Sequence, residues 1–340
     1  MINTFRAQGF GCLKNVEAQL TPLHAFIGPN DSGKTTLLKA IETLGRLAHG
    51  TFFSEVPHRT YWNAKPNGVL LEAEAPTEFV RIVGSPKGAE LTGGTINGES
   101  FTERIDDGTR AITEPPARLG LRGIRLLRLD PDAMRERSPL LSLDETQKFF
   151  ETRGKGLAGL LGSLFMQGEE GPPRALRERV EKLFPGVLRV SAKPAKDMVE
   201  LEAILRDGTK VPAEGLSEGL LYFLAFFLLE YMSDAKIILL EEPENGLHPA
   251  RVTEVMDMLR KLTEDQNVQV LISTHSPLVI NELKPEEVTL VTRADPASGT
   301  KLTPLPKTQR FEERSKVFNL GELWLNYANG TNESELVVVK

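Results

Sequence analysis

The sequence predicts an α/β fold with a parallel sheet, an antiparallel β subdomain and a helical insertion. Three observations predict it. An apolar run, "LHAFIG" (23–28), passes through "PNDSGKTT" into the helical pattern "LLKAIETLGRLA", which reads as strand, glycine-containing loop and helix. Beyond residue 217, "KIILL" (236–240), "VQVLIS" (268–273) and "EVTLVT" (287–292) alternate with helical patterns. Continuous apolar strands between helices belong to a parallel sheet covered on both faces. Between these regions, residues 67–105 hold "GVLLEAEA", "EFVRIVG" and further short segments parted by Gly, Asn and Pro, the pattern of antiparallel hairpins.

Element by element, "TFRAQGF" and "NVEAQL" alternate as strands, with Val16, Ala18 and Leu20 on one face. Residues 144–184 read as helical: Asp144 is placed to cap one helix, Pro172-Pro173 opens another, and Pro185-Gly186 stops it. "VLRVSA" and "MVELEAILRDGTKVPA" return to strand, with a turn at Asp207-Gly208. In "EGLSEGLLYFLAFFLLEY" every side chain from Leu220 to Leu229 is apolar. A membrane span needs about 20 such residues, and Glu230 ends this run. The expectation is a helix over 217–232, hydrophobic all round and buried. Helices follow from Pro249 and near 277–283, and "SELVVVK" reads as a last strand. The expected organisation is a core part at 1–55, a β-rich and helical insertion at 56–215, the second core part at 216–310, and a tail with a helix and a strand at 311–340.

The 340 residues carry a net charge of −6, so binding to a polyanion would need a local basic patch. "ARLGLRGIRLLRLDPDAMRERSP" offers one in Arg118, Arg122, Arg125, Arg128, Arg135 and Arg137. It has two readings: a face for nucleic acid or an acidic partner, or arginines paired with Asp130, Asp132 and Glu136, the second being the commoner outcome for interleaved charges. The single cysteine, Cys12, allows no internal disulfide and no cysteine-based zinc site. A reducing, cytoplasmic setting fits, and "MINTFRAQGF" lacks the features of a secretory signal.

"GPNDSGKT" (28–35) fits G-x-x-x-x-G-K-[ST] between a buried strand and a helix. Glycines let successive N–H groups point into one concavity, and the helix N-terminus adds partial positive charge, so the loop suits phosphate. Asn30, Asp31, Ser32, Gly33, Lys34, Thr35 and Thr36 are the candidate binding residues, with Lys34 toward the β- and γ-phosphates and the Thr35 hydroxyl toward Mg²⁺. "IILLEEPENGLHP" (237–249) ends a buried strand on two carboxylates. Nucleotide chemistry uses one acid for the metal and one for the attacking water, and by order these are Glu241 and Glu242. "VLISTHSP" ends the next buried strand on His275, which parallel topology places at the same sheet edge. A neutral imidazole there suits contact with the γ-phosphate or the water.

Together these residues resemble the ABC-type ATPases. "GPNDSGKTT" looks like their Walker A motif, "IILLEE" like Walker B with the catalytic glutamate, "STHS" like the switch-histidine loop, and "LSEG" (216–219) like the signature motif LSGGQ. Within that class, "FGCLKNVEAQLTPLHAFIGPNDSGKTTLLKAIETL" and "EEPENGLHP" are similar to the RecF/SMC/Rad50-like and OLD-like (AAA_21-like) ATPases. The resemblance implies an ABC-ATPase head with a RecA-like P-loop core, binding ATP and Mg²⁺. It implies two heads packed head to tail, as a homodimer or higher homo-oligomer. Ser217 and Gly219 of one head would complete the nucleotide site of the other, with ATP closing the pair and hydrolysis releasing it.

The chain departs from the pattern in places. Glu241 stands where transporters have Asp, Glu218-Gly219-Leu220 replaces Gly-Gly-Gln, and His248 stands where many members have Asp. Gln147 and Gln167 lie in the variable region, and neither is assigned to a Q-loop. The long stretch between Lys34 and Ser217 has no heptads, so a compact insertion is expected rather than a coiled-coil arm. Too few residues follow His275 for a Toprim nuclease domain with its connector. The resemblance then extends to ATPase components of bacterial antiphage systems, whose partner is a separate effector such as a nuclease or toxin, with nucleic acid a possible ligand and no membrane. The alternatives are a DNA repair or maintenance ATPase, a nucleotide-gated scaffold with little turnover, and a transporter nucleotide-binding subunit. "LSEGL" and "EEPENGLHP" argue against the last.

Overall fold

The computed structural model describes residues 1–48, 69–76, 78–85, 88–96, 99–105, 121–140, 151–166, 168, 170–231, 235–295, 297–308 and 310–328. The elements begin with β1 (Thr4–Phe10), β2 (Leu13–Gln19), β3 (Leu23–Ile27), α1 (Lys34–Ala48), β4 (Val69–Ala75), β5 (Glu78–Ser85), β6 (Gly88–Ile96), β7 (Glu99–Ile105) and β8 (Ile124–Leu127). They continue with α2 (Pro131–Arg135), α3 (Leu157–Phe165), α4 (Pro172–Leu183), β9 (Val187–Ala195), β10 (Met198–Leu205), β11 (Lys210–Pro212) and α5 (Glu218–Leu229). The last are β12 (Ile237–Glu241), α6 (Pro249–Asp265), β13 (Gln269–Thr274), α7 (Pro277–Asn281), β14 (Val288–Thr292), β15 (Lys301–Pro304), α8 (Phe311–Arg314) and α9 (Leu320–Ala328). Two compact units result: Met1–Leu126 with Ala235–Glu242 and Thr263–Lys340, and Leu127–Asp234 with Pro243–Leu262.

The first unit holds two sheets. The antiparallel one runs β2-β1-β4-β5-β6-β7. Its register sets Phe5 and Ala7 opposite Ala18 and Val16 on one side and Ala73 and Leu71 on the other, so one face is apolar and buried. That face shares a core with Leu37, Leu38 and Leu44 of α1, each contributing about 1.5–3 kcal/mol on burial. The alternate positions carry charge: Arg6 lies opposite both Glu17 and Glu72, and Glu72 lies opposite Arg81. Glu72 is buried beneath these two guanidiniums and ion-pairs with both. Cross-strand opposite charges of this kind contribute roughly 0.2–1 kcal/mol per pair.

The second sheet runs β15-β14-β3-β13-β12-β8. β3 pairs in parallel with β13 and β14, and β12 pairs in parallel with β13. These strands are buried along nearly their whole length, as their continuous apolar runs require. The sheet is mixed rather than wholly parallel, because β15 runs antiparallel to β14. The link between them is too short for a crossover helix, which leaves only a hairpin. Gln269 ties the N-terminus to this sheet, accepting from Ile2 N at 2.8 Å and donating to Ile2 O at 2.7 Å.

His24 of β3 is buried between Thr21 and Thr289, with Nδ1 3.0 Å from one hydroxyl and Nε2 2.9 Å from the other. Burial pushes its pKa down to about 4. The unfolded chain therefore takes up this proton first as pH falls below about 6.5. Stability should be unaffected by this group above that pH and decline between it and about 4, by about 3 kcal/mol in all. Urea unfolding of the wild type and His24→Gln at pH 7 and pH 4.5 checks this: the wild type should lose more stability than the variant. Equal losses would contradict it.

In the second unit β11-β10-β9 form an antiparallel sheet on which α3 and α4 pack. Every residue of α5 from Gly219 to Leu229 is buried, which is why the apolar run needs no polar face. No helix among the described residues is long and apolar enough to cross a membrane. Past the end of α5, Glu230 accepts a two-pronged bond from Arg179 of α4 at 2.5 and 3.1 Å, and that guanidinium also lies over Phe227. In the arginine-rich stretch Arg135 pairs with Asp132 at 2.8 Å and Arg137 with Glu200 at 2.6 Å, while Asp130 and Glu136 pair with Arg153 and Lys155 outside the stretch. Arg118, Asp144, Gln147, Gln167 and the "SELVVVK" segment lie outside the described residues.

Candidate active site

The phosphate loop is shaped by close approaches. A Cβ on Gly28 would lie 2.1 Å from the Val291 carbonyl oxygen of the neighbouring strand, so only glycine fits. Gly33 has φ +110, and a Cβ there would lie 2.4 Å from Thr300 Oγ1. The non-glycine Asp31 also adopts a left-handed φ of 62, at a cost of roughly 1–2 kcal/mol. Ser32 is buried, Lys34 is buried, and Thr35 and Thr36 are half-buried, while Asn30 and Asp31 are exposed. The first backbone bond of α1 runs from Leu37 N to Gly33 O at 2.9 Å. Helix geometry directs the N–H groups before it outward, toward an anion. Lys34 Nζ donates to Gly28 O and Pro29 O, each at 2.8 Å, which holds the ammonium over the loop.

Two supports of this loop were not evident in the sequence. Thr300, just before β15, donates its hydroxyl to Ser32 O at 2.8 Å and its backbone N–H to Cys12 O at 2.9 Å. The turn between β1 and β2 and the segment before β15 thus both brace the loop. Neither carries a motif, so only the fold reveals them.

Strand register brings the other candidates to the same edge. Thr274 of β13 pairs with Ile27 of β3, so His275 leaves the sheet beside Gly28. Glu241 pairs with Ser273, and the N–H of Glu242 donates to Ser273 O at 2.8 Å. Glu242 has φ 47, although a residue before proline favours extended backbone. This turn leaves the Glu242 carboxylate 3.3 Å from His275 Nδ1, both groups being partly exposed. A carboxylate and an imidazole in contact can share, accept or relay a proton from water. Trp324 of α9, unforeseen in the sequence, donates its indole N–H to His275 O at 2.8 Å and fixes the strand end.

Ser217 and Gly219 belong to the second unit. Ser217 is the N-cap of α5; its hydroxyl accepts from Leu220 N at 3.4 Å, and it is exposed. Gly219 is buried rather than presented at the surface: a Cβ on it would lie 2.7 Å from Arg251 Nη1. His248 caps the start of α6, accepting from Ala250 N at 3.3 Å. No cluster of three or more His, Cys, Asp or Glu side chains suited to a metal occurs among the described residues. Thr35 at the start of α1 and Glu241 at the end of β12, both half-buried, offer the hard oxygen donors that Mg²⁺ takes, and that ion needs few of them because it keeps several waters.

Comparison with known proteins gives the family and the fold. The profile of the family described as "AAA domain, putative AbiEii toxin, Type IV TA system" matches residues 23–281. The "Uncharacterized ABC transporter ATP-binding protein YhcH" of Bacillus subtilis is 32% identical over 98 residues, covering 29% of this chain and 30% of that protein. The OLD nuclease of Thermus scotoductus is 23% identical over 334 residues, covering 86% of this chain and 62% of that protein. The chain thus spans less than two thirds of either relative. The crystal structure of an SMC head bound to the C-winged helix domain of ScpA superposes with a TM-score of 0.59 at 18% identity, covering 89% of this chain and 97% of that one. The fold is accordingly that of an SMC-head-like ABC ATPase. With the phosphate loop, both acidic residues and His275 all inside the matched span, the chain belongs to this AAA-domain ATPase family.

Proposed function

We propose that this chain is a soluble, cytoplasmic, Mg²⁺-dependent ATPase whose site is completed by a second copy, and that ATP-driven association controls a separate effector. The observation that carries the reading is the Glu242–His275 contact at 3.3 Å, at the sheet edge where the phosphate-loop strand ends. Lys34 and the N–H groups at the start of α1 hold the β- and γ-phosphates. Thr35 and Glu241 hold Mg²⁺, which when bound offsets negative charge on the phosphate oxygens. Glu242 accepts a hydrogen bond from the attacking water, and His275 orients that water or the γ-phosphate. The water oxygen bonds to the γ-phosphorus, the bond to the bridging oxygen breaks, and ADP and phosphate leave.

Ser217 and the N–H groups at the start of α5 suit the γ-phosphate of a nucleotide held by another copy. Likeness to a protein named OLD nuclease supports an effector directed at nucleic acid, and the family description, which names a toxin, supports a defence role. The chain should release phosphate from ATP in Mg²⁺ and stop when EDTA is added. Equal release with and without Mg²⁺, or none in Mg²⁺, would overturn the reading.

A further inference from the structure

The stretch Leu216–Leu220 departs from the signature LSGGQ by carrying an acid, Glu218, in place of the first glycine and Leu220 in place of the glutamine. The structure brackets this segment with two guanidiniums. Arg135, the last residue of α2, donates to Leu216 O at 3.0 Å and pairs with Asp132 at 2.8 Å, with its side chain only 19% exposed. α2 itself is fixed: Asp130 caps it by accepting from Asp132 N and Ala133 N, and Tyr222 of α5 donates to Leu129 O at 3.2 Å. Arg251, in the first turn of α6, lies 4.0 Å above the Phe184 ring, donates to Leu183 O at 3.4 Å, and sets Nη1 against Gly219. Among the described residues Arg251 meets no carboxylate.

We propose that Arg135 and Arg251 are positioning residues that hold Ser217 and the start of α5 for the γ-phosphate of a nucleotide bound to a second copy of this chain. Their fixed planes replace the rigidity that a full signature would supply. This rests on the composite-site reading above. Arginine is required at position 251, where the guanidinium stacks flat on the Phe184 ring while reaching the Leu183 carbonyl; a lysine ammonium has no planar face to stack. Arg135 divides its fork between a carboxylate and a carbonyl. Neither residue is part of a nucleotide motif, so no motif search finds them.

The test uses the full chain. Arg135→Gln, Arg251→Ala and Arg251→Lys should bind a fluorescent ATP analogue as the wild type does, keep their melting temperature within a few degrees, and lose turnover by about 10- to 100-fold. Each should recover on mixing with Lys34→Ala, since a mixed dimer holds one site with an intact phosphate loop from one chain and an intact α5 start from the other. Random pairing of equal amounts restores about a quarter of wild-type turnover. Ser217→Ala mixed with Lys34→Ala is the control. Recovery in the control but not with the arginine variants overturns this proposal alone, as does full turnover by Arg251→Lys or by either variant by itself. No recovery in the control overturns the composite site. Should Arg251→Ala fail to fold, Arg251→Lys and Arg135→Gln carry the test.

Discussion

Glu242→Gln should lower ATP turnover by about 10²- to 10⁴-fold, the usual contribution of a placed general base, while leaving nucleotide affinity unchanged. The substitution keeps side-chain size and a hydrogen-bonding tip facing His275, 3.3 Å away. It also keeps the bond from the residue's N–H to Ser273 O at 2.8 Å, so the strand end stays in place. What it removes is the negative charge that polarises water. The backbone supports the assignment: Glu242 holds a left-handed φ of 47 immediately before Pro243, a conformation costing roughly 1–2 kcal/mol for a side chain with a Cβ. Strain of this kind persists where the surroundings and the task demand it. Steady-state phosphate release together with equilibrium titration of a fluorescent ATP analogue checks the result. Turnover equal to that of the wild type would remove Glu242 from the chemistry.

Lys34→Ala should weaken ATP binding by about 10- to 100-fold, since each hydrogen bond from the charged ammonium is worth about 1.5–3 kcal/mol. The ammonium is buried and held by the Gly28 and Pro29 carbonyls at 2.8 Å each, so it is preorganised over the loop. Phosphate oxygens compete for the same three donors. Its removal also leaves those carbonyls without their partner, and a modest fall in melting temperature should accompany the loss of affinity. Titration of the same ATP analogue checks it; an unchanged dissociation constant would place the nucleotide elsewhere.

The legible parts of this fold are those whose signal is local. The strand–loop–helix at 23–47 declares itself by period and glycines, and α5 by an apolar run that no exposed helix tolerates. Strand order alone assigns His275 to this edge, and the parallel register of β13 against β3 puts it beside Gly28. The illegible parts depend on pairing across the chain. Nothing near Arg6 announces that it faces Glu72 on one side and Glu17 on the other. β15 is short and unremarkable in sequence, and its antiparallel course follows from a link too brief for a crossover. Thr300, Trp324 and Arg251 act through contacts with residues distant in sequence, which any threonine, tryptophan or arginine can make. The burial of Gly219 against Arg251 depends on a helix that begins some thirty residues later. The arginine-rich stretch shows the same limit, because composition counts its charges without showing that Arg137 reaches Glu200.

The central claim is that ATP joins two copies and that hydrolysis parts them. Light scattering on Glu242→Gln in saturating ATP and Mg²⁺ tests it most directly, since this variant binds but does not turn over. The account predicts a mass of two chains in ATP, falling to one in ADP and staying at one when Ser217→Ala is added to the same chain. A Glu242→Gln protein that binds ATP yet keeps the mass of a single chain would contradict it.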